Sequence, residues 1–125
     1  MILLTTPTST LAIVTGGAQA IDVHASFVTL NGSTVTPGDL NTQISSGTTT
    51  TIVTGPAAGQ LAVKYVNVRN NDGAVADTVT VQHFDGTTTV NLISLSLTAG
   101  YQLSYNEDNG WEVSDTNGAI QYANA

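Results

Sequence analysis

The chain has 125 residues and a formal net charge of -7, and 41% of its residues are hydrophobic whereas only 9% are charged. A chain of this length fits one domain that buries about two-thirds of its unfolded surface, and the absence of cysteine excludes disulfides and thiolate metal sites. Lys64 and Arg69 are the only basic residues, which is too few to replace phosphate counterions, so we expect neither nucleic acid nor a membrane as a partner.

The N-terminal segment begins with an apolar run, Ile2-Leu3-Leu4, followed by threonine, proline and serine. An apolar run of this kind would be a liability if it were exposed on a monomer. We therefore predict that residues 1–15 form an extended arm and a first strand that dock on a neighbouring subunit, and that residues 16–125 form one β-sandwich domain. No Lys or Arg precedes the apolar stretch and Pro7 interrupts it, so no secretory signal peptide is expected.

The segment from Ala20 to Leu30 alternates apolar and polar residues, which predicts a strand with one buried face. Asn31-Gly32 then indicates a turn. From Ser33 to Gly47 the alternation weakens around Pro37-Gly38-Asp39, which predicts a long connection crossing between two sheets. The threonine-rich stretch from Thr48 to Thr54 is a strand by propensity.

The stretch from Leu61 to Arg69 is apolar on both faces, which predicts an inner strand or one covered by another subunit. A hairpin is predicted from Asp77 to Leu97, turning at Asp85-Gly86. In its second strand the apolar phase changes around Leu92, which indicates either a β-bulge or burial of both faces. We predict that this hairpin lies at the centre of the sandwich.

Three short strands follow, over 101–105, 111–113 and 119–122, each after a turn signal. The whole pattern predicts an all-β protein, an antiparallel β-sandwich of about eight strands with an extended N-terminal arm. A jelly-roll-like arrangement is the first choice and an immunoglobulin-like sandwich the second.

Histidines are the only side chains suited to general base catalysis at neutral pH. Asp22 and His24 share one strand face, as do His83 and Asp85, so these four could converge on a divalent metal if their strands paired. The alternative is that each His simply forms hydrogen bonds. The acidic turn from Asn106 to Gly110 could be a loose Ca²⁺ site or a solvated turn. We expect no catalytic, cofactor-binding or metal-binding residue, and no enzyme activity.

The aromatic residues near the last strands, Tyr101, Tyr105, Trp111 and Tyr122, could form a carbohydrate platform or serve as packing anchors, and packing is the preferred interpretation. The first three of them join the N-terminal apolar residues in the predicted protein interface, which consists of Ile2, Leu3, Leu4, Leu11, Ile13, Tyr101, Tyr105 and Trp111.

Four stretches, taken in order, carry a resemblance: IDVHASFVTLNGSTVTPG (21–38), TTTTIV (48–53), VTVQHFDGTTTV (79–90) and LTAGYQLSYNEDNGW (97–111). The chain resembles small β-rich structural proteins of tailed bacteriophages, of the capsid decoration (cement) type. The resemblance implies a virion protein on the capsid surface, made in the host cytoplasm, that binds the major capsid protein and stabilises the assembled head. Self-association as a homo-oligomer, with a trimer favoured, is expected. The alternative is a tail- or fibre-associated module that binds host glycan or another tail protein.

Overall fold

The computed structural model describes residues 1–123, with the backbone alone for the last two of these. Within that range the chain forms two antiparallel sheets packed face to face. Its eleven strands are β1 (Ile2–Leu4), β2 (Thr10–Thr15), β3 (Ile21–Asn31), β4 (Thr34–Ile44), β5 (Thr49–Thr54), β6 (Gln60–Asn70), β7 (Asp77–Phe84), β8 (Thr89–Leu97), β9 (Gln102–Asn106), β10 (Gly110–Ser114) and β11 (Ile120–Ala123).

The larger sheet, sheet A, has the order β11-β10-β9-β6-β3-β4, and β1 pairs with β6 beside it. The smaller sheet, sheet B, has the order β5-β2-β7-β8. Aliphatic residues that alternate along the strands of both sheets interdigitate between them, including Leu11, Ile21, Val66, Val81 and Leu103. The predicted all-β antiparallel sandwich is thus confirmed, and it has more strands than the eight expected. The finer jelly-roll assignment stays a prediction.

Strand β6 is an inner strand of sheet A, but the apolar pattern that its sequence shows on both faces comes from a β-bulge. It pairs with β3 along its length, and on its other side with β1 and then with β9. In the β3–β6 ladder, Ser26 lies opposite Tyr65 but the next residue, Phe27, lies opposite Val63. Lys64 is therefore an extra, bulged residue on β6. The bulge reverses the alternation, so that Val63 and Val66 both point into the core.

Two local predictions were wrong. The segment predicted as a crossing connection is strand β4, which forms a long hairpin with β3. Its alternation is weak because β4 is an edge strand that tolerates Pro37. The hairpin of β7 and β8 is not central, since β8 forms one edge of sheet B. The change of phase in β8 is a bulge, because Val81 pairs with Ile93 and Gln82 pairs with Asn91, which leaves Leu92 extra.

The first residues form part of the sandwich itself. Leu4 pairs with Leu61 and has no exposed area. The backbone carbonyl of Leu3 lies 2.8 Å from Nε2 of His83, which belongs to sheet B. Strand β1 is therefore tied to both sheets.

Asn70, at the end of β6, joins the two sheets at one end of the sandwich. Its side chain is fully buried, and its Nδ2 donates to the carbonyls of Leu97 (2.9 Å) and Val75 (3.0 Å). Its Oδ1 accepts from the backbone N–H of Asp72 at 3.0 Å. Because every polar atom of this side chain is bonded, its burial costs little.

Candidate functional site

The outer face of sheet A carries two chemically different areas. Strand alternation and the ladder register decide which side chains share this face. At the end of the face where β6 pairs with β9, the outward side chains are polar. We call this area the polar field, and it consists of Asp22 and His24 of β3, Asn41 and Gln43 of β4, and Asn67 and Arg69 of β6. These six line a shallow cavity of about 630 Å³, together with Val23 and Thr42.

Hydrogen bonds across neighbouring strands fix most side chains of the polar field. Nδ1 of His24 lies 2.6 Å from Oδ1 of Asn41. Gln43 Nε2 donates to Oδ1 of Asp22, and Asn71 Nδ2 donates to the other carboxylate oxygen, both at 3.2 Å. Both oxygens of Asp22 are therefore held by neutral amides.

Arg69 lies directly opposite Asp22 in the ladder. Nevertheless, the one salt bridge among the described residues joins the other cation, Lys64, to Glu107 at 3.0 Å. Among residues 1–123, no hydrogen bond is formed by the guanidinium group of Arg69. A partly buried cation that forms no salt bridge with any carboxylate of residues 1–123 thus lies at the cavity of a strongly acidic protein.

The other end of this face is mainly apolar, and Gln60, which lies opposite Leu30, is its polar residue. The ladder places Leu3 beside Ala62, Ala62 beside Val28, and Leu30 beside Val35. The larger neighbours cover Ala62, which is only 1% exposed, whereas Leu3, Leu30 and Val35 are 42%, 41% and 60% exposed. We call this area the apolar field, and its members are Leu3, Val28, Leu30, Val35, Pro37 and Ala62.

The outer face of sheet B is uniform by comparison. Cross-strand rows on it consist mainly of Thr and Ser, as in the pair of Thr80 and Ser94, whose hydroxyl oxygens are 2.7 Å apart. A smaller cavity of about 310 Å³ on this face is lined by Thr10, Ala12, Thr49, Thr51, Gln82, Phe84 and Thr89. None of these side chains is charged, so this face offers little chemistry beyond hydroxyl hydrogen bonding.

The chain matches no protein-family model, no curated protein and no solved structure. Functional inference therefore rests on the residues and their geometry.

The histidine–aspartate set considered as a metal site does not converge. His24 is on β3 in sheet A and His83 is on β7 in sheet B, and these strands do not pair. Within residues 1–123, no group of three or more His, Cys, Asp or Glu side chains could hold a metal ion. Each histidine instead lies within hydrogen-bonding distance of an oxygen, that of Asn41 or the carbonyl of Leu3.

The acidic turn is closed by hydrogen bonds between the side chain of Asn106 and the backbone of the turn. Oδ1 of Asn106 accepts from the N–H groups of Asp108 (3.0 Å) and Asn109 (2.8 Å), and Glu107 pairs with Lys64. These contacts favour the solvated turn over a Ca²⁺ site.

The aromatic residues pack against each other and the core. Tyr105 is only 8% exposed, and its ring centroid lies 4.9 Å from that of Trp111, its partner across the β9–β10 ladder. Burial raises the pKa of the Tyr105 hydroxyl, and the charge of Glu107 adds to this effect. Trp111 and Tyr101 are half-buried against the core. The side chain of Tyr122, considered for the same platform, lies outside the described residues.

Half of the predicted interface residues are buried in the chain's own core, and Tyr105 is one of them. Leu4, Leu11 and Ile13 have no exposed area, so they stabilise the chain's own core and are not a contact surface. Ile2 packs against that core too. Leu3 is the N-terminal member that does lie on the surface. Sequence reasoning missed Leu30 and Val35, which extend the surface around Leu3 and become its neighbours only through strand pairing.

Proposed function

We propose that this chain is a structural protein of a tailed bacteriophage virion, and that it decorates the assembled head by docking through the apolar field. The observation that carries the proposal is the exposure of Leu30, Val35 and Leu3 together on one sheet face. Contiguous exposed apolar surface on a small soluble domain is typical of a protein interaction site. The motif order of the sequence and its resemblance to decoration proteins favour the major capsid protein as partner.

We propose that the chain stabilises the assembled head by binding to it and not to free capsid subunits. A protein that binds neighbouring capsid subunits only in the assembled lattice lowers the free energy of that lattice relative to free subunits. The flat apolar field suits this role because a sheet face is rigid and little conformational entropy is lost on docking. A homo-oligomer, favoured as a trimer, would present several copies of the field at once and gain avidity.

Binding to purified heads tests the proposal. Expanded heads of the encoding phage, stripped of accessory proteins, are incubated with increasing amounts of the chain and sedimented. We expect saturable binding by the wild type, and at least about a tenfold loss of affinity for the double variant Leu30→Asp/Val35→Asp, since a hydrophobic contact centre does not tolerate unpaired charge.

The matched control adds the same two charges to the other sheet. Thr51→Asp/Gln82→Asp alters two residues of one cross-strand row, on either side of Ala12, on the outer face of sheet B and should bind within about twofold of wild type if sheet B is not involved. Absence of saturable binding, or equal loss in both double variants, would contradict the proposal. Circular dichroism and melting temperature check that each variant is folded.

A further inference from the structure

We propose that the cavity of the polar field binds a carboxylated sugar, a monosaccharide unit with one carboxylate and several hydroxyls. The proposal rests on the cavity alone and holds wherever the protein is located. It joins two observations: within residues 1–123 the guanidinium at the cavity has no salt-bridge partner, and the groups around it are amides, an imidazole and the carboxylate of Asp22, all carried on paired strands.

The charge pattern favours a ligand with a single negative charge. Arg69 is one of two cations in a chain of net charge -7, and the other, Lys64, is paired with Glu107. Phosphate-rich ligands need several cations, whereas one planar guanidinium fork matches one carboxylate through two parallel hydrogen bonds. Asp22, the carboxylate that also lines the cavity, forms no salt bridge with Arg69, and its two oxygens accept from Gln43 and Asn71.

The remaining groups suit hydroxyls. The amides of Asn41, Gln43 and Asn67 each offer both donors and acceptors. The contact with Asn41 uses Nδ1 of His24 and leaves its Nε2 available. The ring centroid of Tyr65 lies 6.3 Å from that of His24 at the side of the cavity. Neighbouring sugar hydroxyls are recognised by such mixed donor and acceptor pairs.

Preorganisation supports the assignment. His24, Asn41 and Asn67 occupy one cross-strand row, and Asp22, Gln43 and Arg69 occupy the next. Their backbones are fixed by the β3–β4 and β3–β6 ladders, so binding does not have to order a loop. The cavity volume of about 630 Å³ lies within the usual range for small-molecule sites, about 300–1,000 Å³.

The test is a titration of the ¹⁵N-labelled intact chain followed by NMR. The probes are glucuronic acid and N-acetylneuraminic acid, with glucose as the neutral control and acetate as the carboxylate control. We expect saturable shifts at His24, Asn67 and Arg69 with at least one sugar acid. Glucose and acetate should each bind at least about tenfold more weakly, because each lacks one half of the recognition.

Variants separate charge from geometry. Arg69→Gln should weaken binding of the sugar acid at least about tenfold, and Arg69→Lys should restore it only in part, since a lysine lacks the planar fork. Asn41→Ala should also weaken it, while Thr80→Val on sheet B should leave it unchanged. The proposal is overturned if neither sugar acid gives saturable shifts, if glucose or acetate binds equally well, or if folded Arg69→Gln binds like wild type.

Discussion

The two halves of strand β6 differ in what they present to solvent. The first half, from Leu61 to Val63, lies between β3 and β1 and carries Ala62 under the apolar field. The second half, from Tyr65 to Arg69, lies between β3 and β9 and carries the basic side chain of the polar field. One strand thus supports two unrelated surfaces, and the bulge at Lys64 divides them. The register of a single ladder therefore determines what each surface can bind.

Deleting Lys64 should have the largest effect. Without the extra residue, either the first half of β6 would turn its apolar residues outward or its pairing would be lost. The expected cost approaches the whole stability of such a domain, about 5–15 kcal/mol, so we expect no cooperative thermal unfolding by circular dichroism. In contrast, Lys64→Ala removes a half-exposed ion pair and should cost less than about 1 kcal/mol. A deletion variant that melts like wild type would refute the role of the bulge.

Asn70→Ala tests the end of the second half. The carbonyls of Leu97 and Val75 would lose their donor and the Asp72 N–H its acceptor. Only the bond to Leu97 is fully buried, and an unsatisfied buried group costs about 1–3 kcal/mol, so urea unfolding should show a loss of about 2–4 kcal/mol once the lost packing is added. Asn67→Ala, on the outer face of the same strand, should stay within about 0.5 kcal/mol. Equal effects of the two variants would mean that the hydrogen bonds of Asn70 do not hold the two sheets together.

Substitutions of Leu3 and Leu4 in β1 test how this strand stabilises the first half of β6. Leu4→Ala should destabilise the chain by about 2–4 kcal/mol, because it removes a fully buried side chain from the core. Leu3→Ala should cost no more than about 0.5 kcal/mol, and it should reduce head binding, since Leu3 belongs to the apolar field. If both variants unfold at the same urea concentration, β1 does not pack as described.

Acid should weaken the turn after β6, which is closed by the carboxylate of Asp72. The N–H groups of Ala74 and Val75 donate to the carboxylate of Asp72 and hold its pKa below the ordinary value of 3.8. A folded-state pKa below the unfolded one stabilises the fold above pH 3.8, and this contribution is lost as the pH falls through the lower, folded value. NMR titration should show Asp72 protonating below pH 3.8. Asp72→Asn should flatten the acid side of the stability curve, whereas no change would argue against this contribution.

Local patterns predicted much of the fold. Alternation identified β3 and β7, the continuous apolar run identified β6, and the change of phase in β8 correctly indicated the possibility of a bulge. Strand β4 was missed because Pro37 and Gly38 are turn residues in most settings. Gly38 is required here by a neighbour, since a Cβ at that position would lie 2.7 Å from the ring of Phe27. Such a requirement is visible only when two strands are paired.

The candidate site was less predictable than the fold. Asp22 and Arg69 are far apart in the sequence, and only the β3–β6 register brings them together. The same limitation affected the N-terminus, where Leu3 and Leu4 look alike in sequence. Pairing with β6 buries one and exposes the other. Side-chain type therefore indicated which residues could interact, and strand pairing decided which of them do.

The bulge in β8 and the proline in β4 also affect whether molecules aggregate through their sheet edges at high concentration. Both strands lie at sheet edges, where free N–H and C=O groups can recruit a strand from another copy. Leu92 breaks the regular spacing of those groups on one edge, and Pro37 removes a donor from the other. Copies crowded side by side are thereby hindered from fusing into one continuous sheet through these two edges.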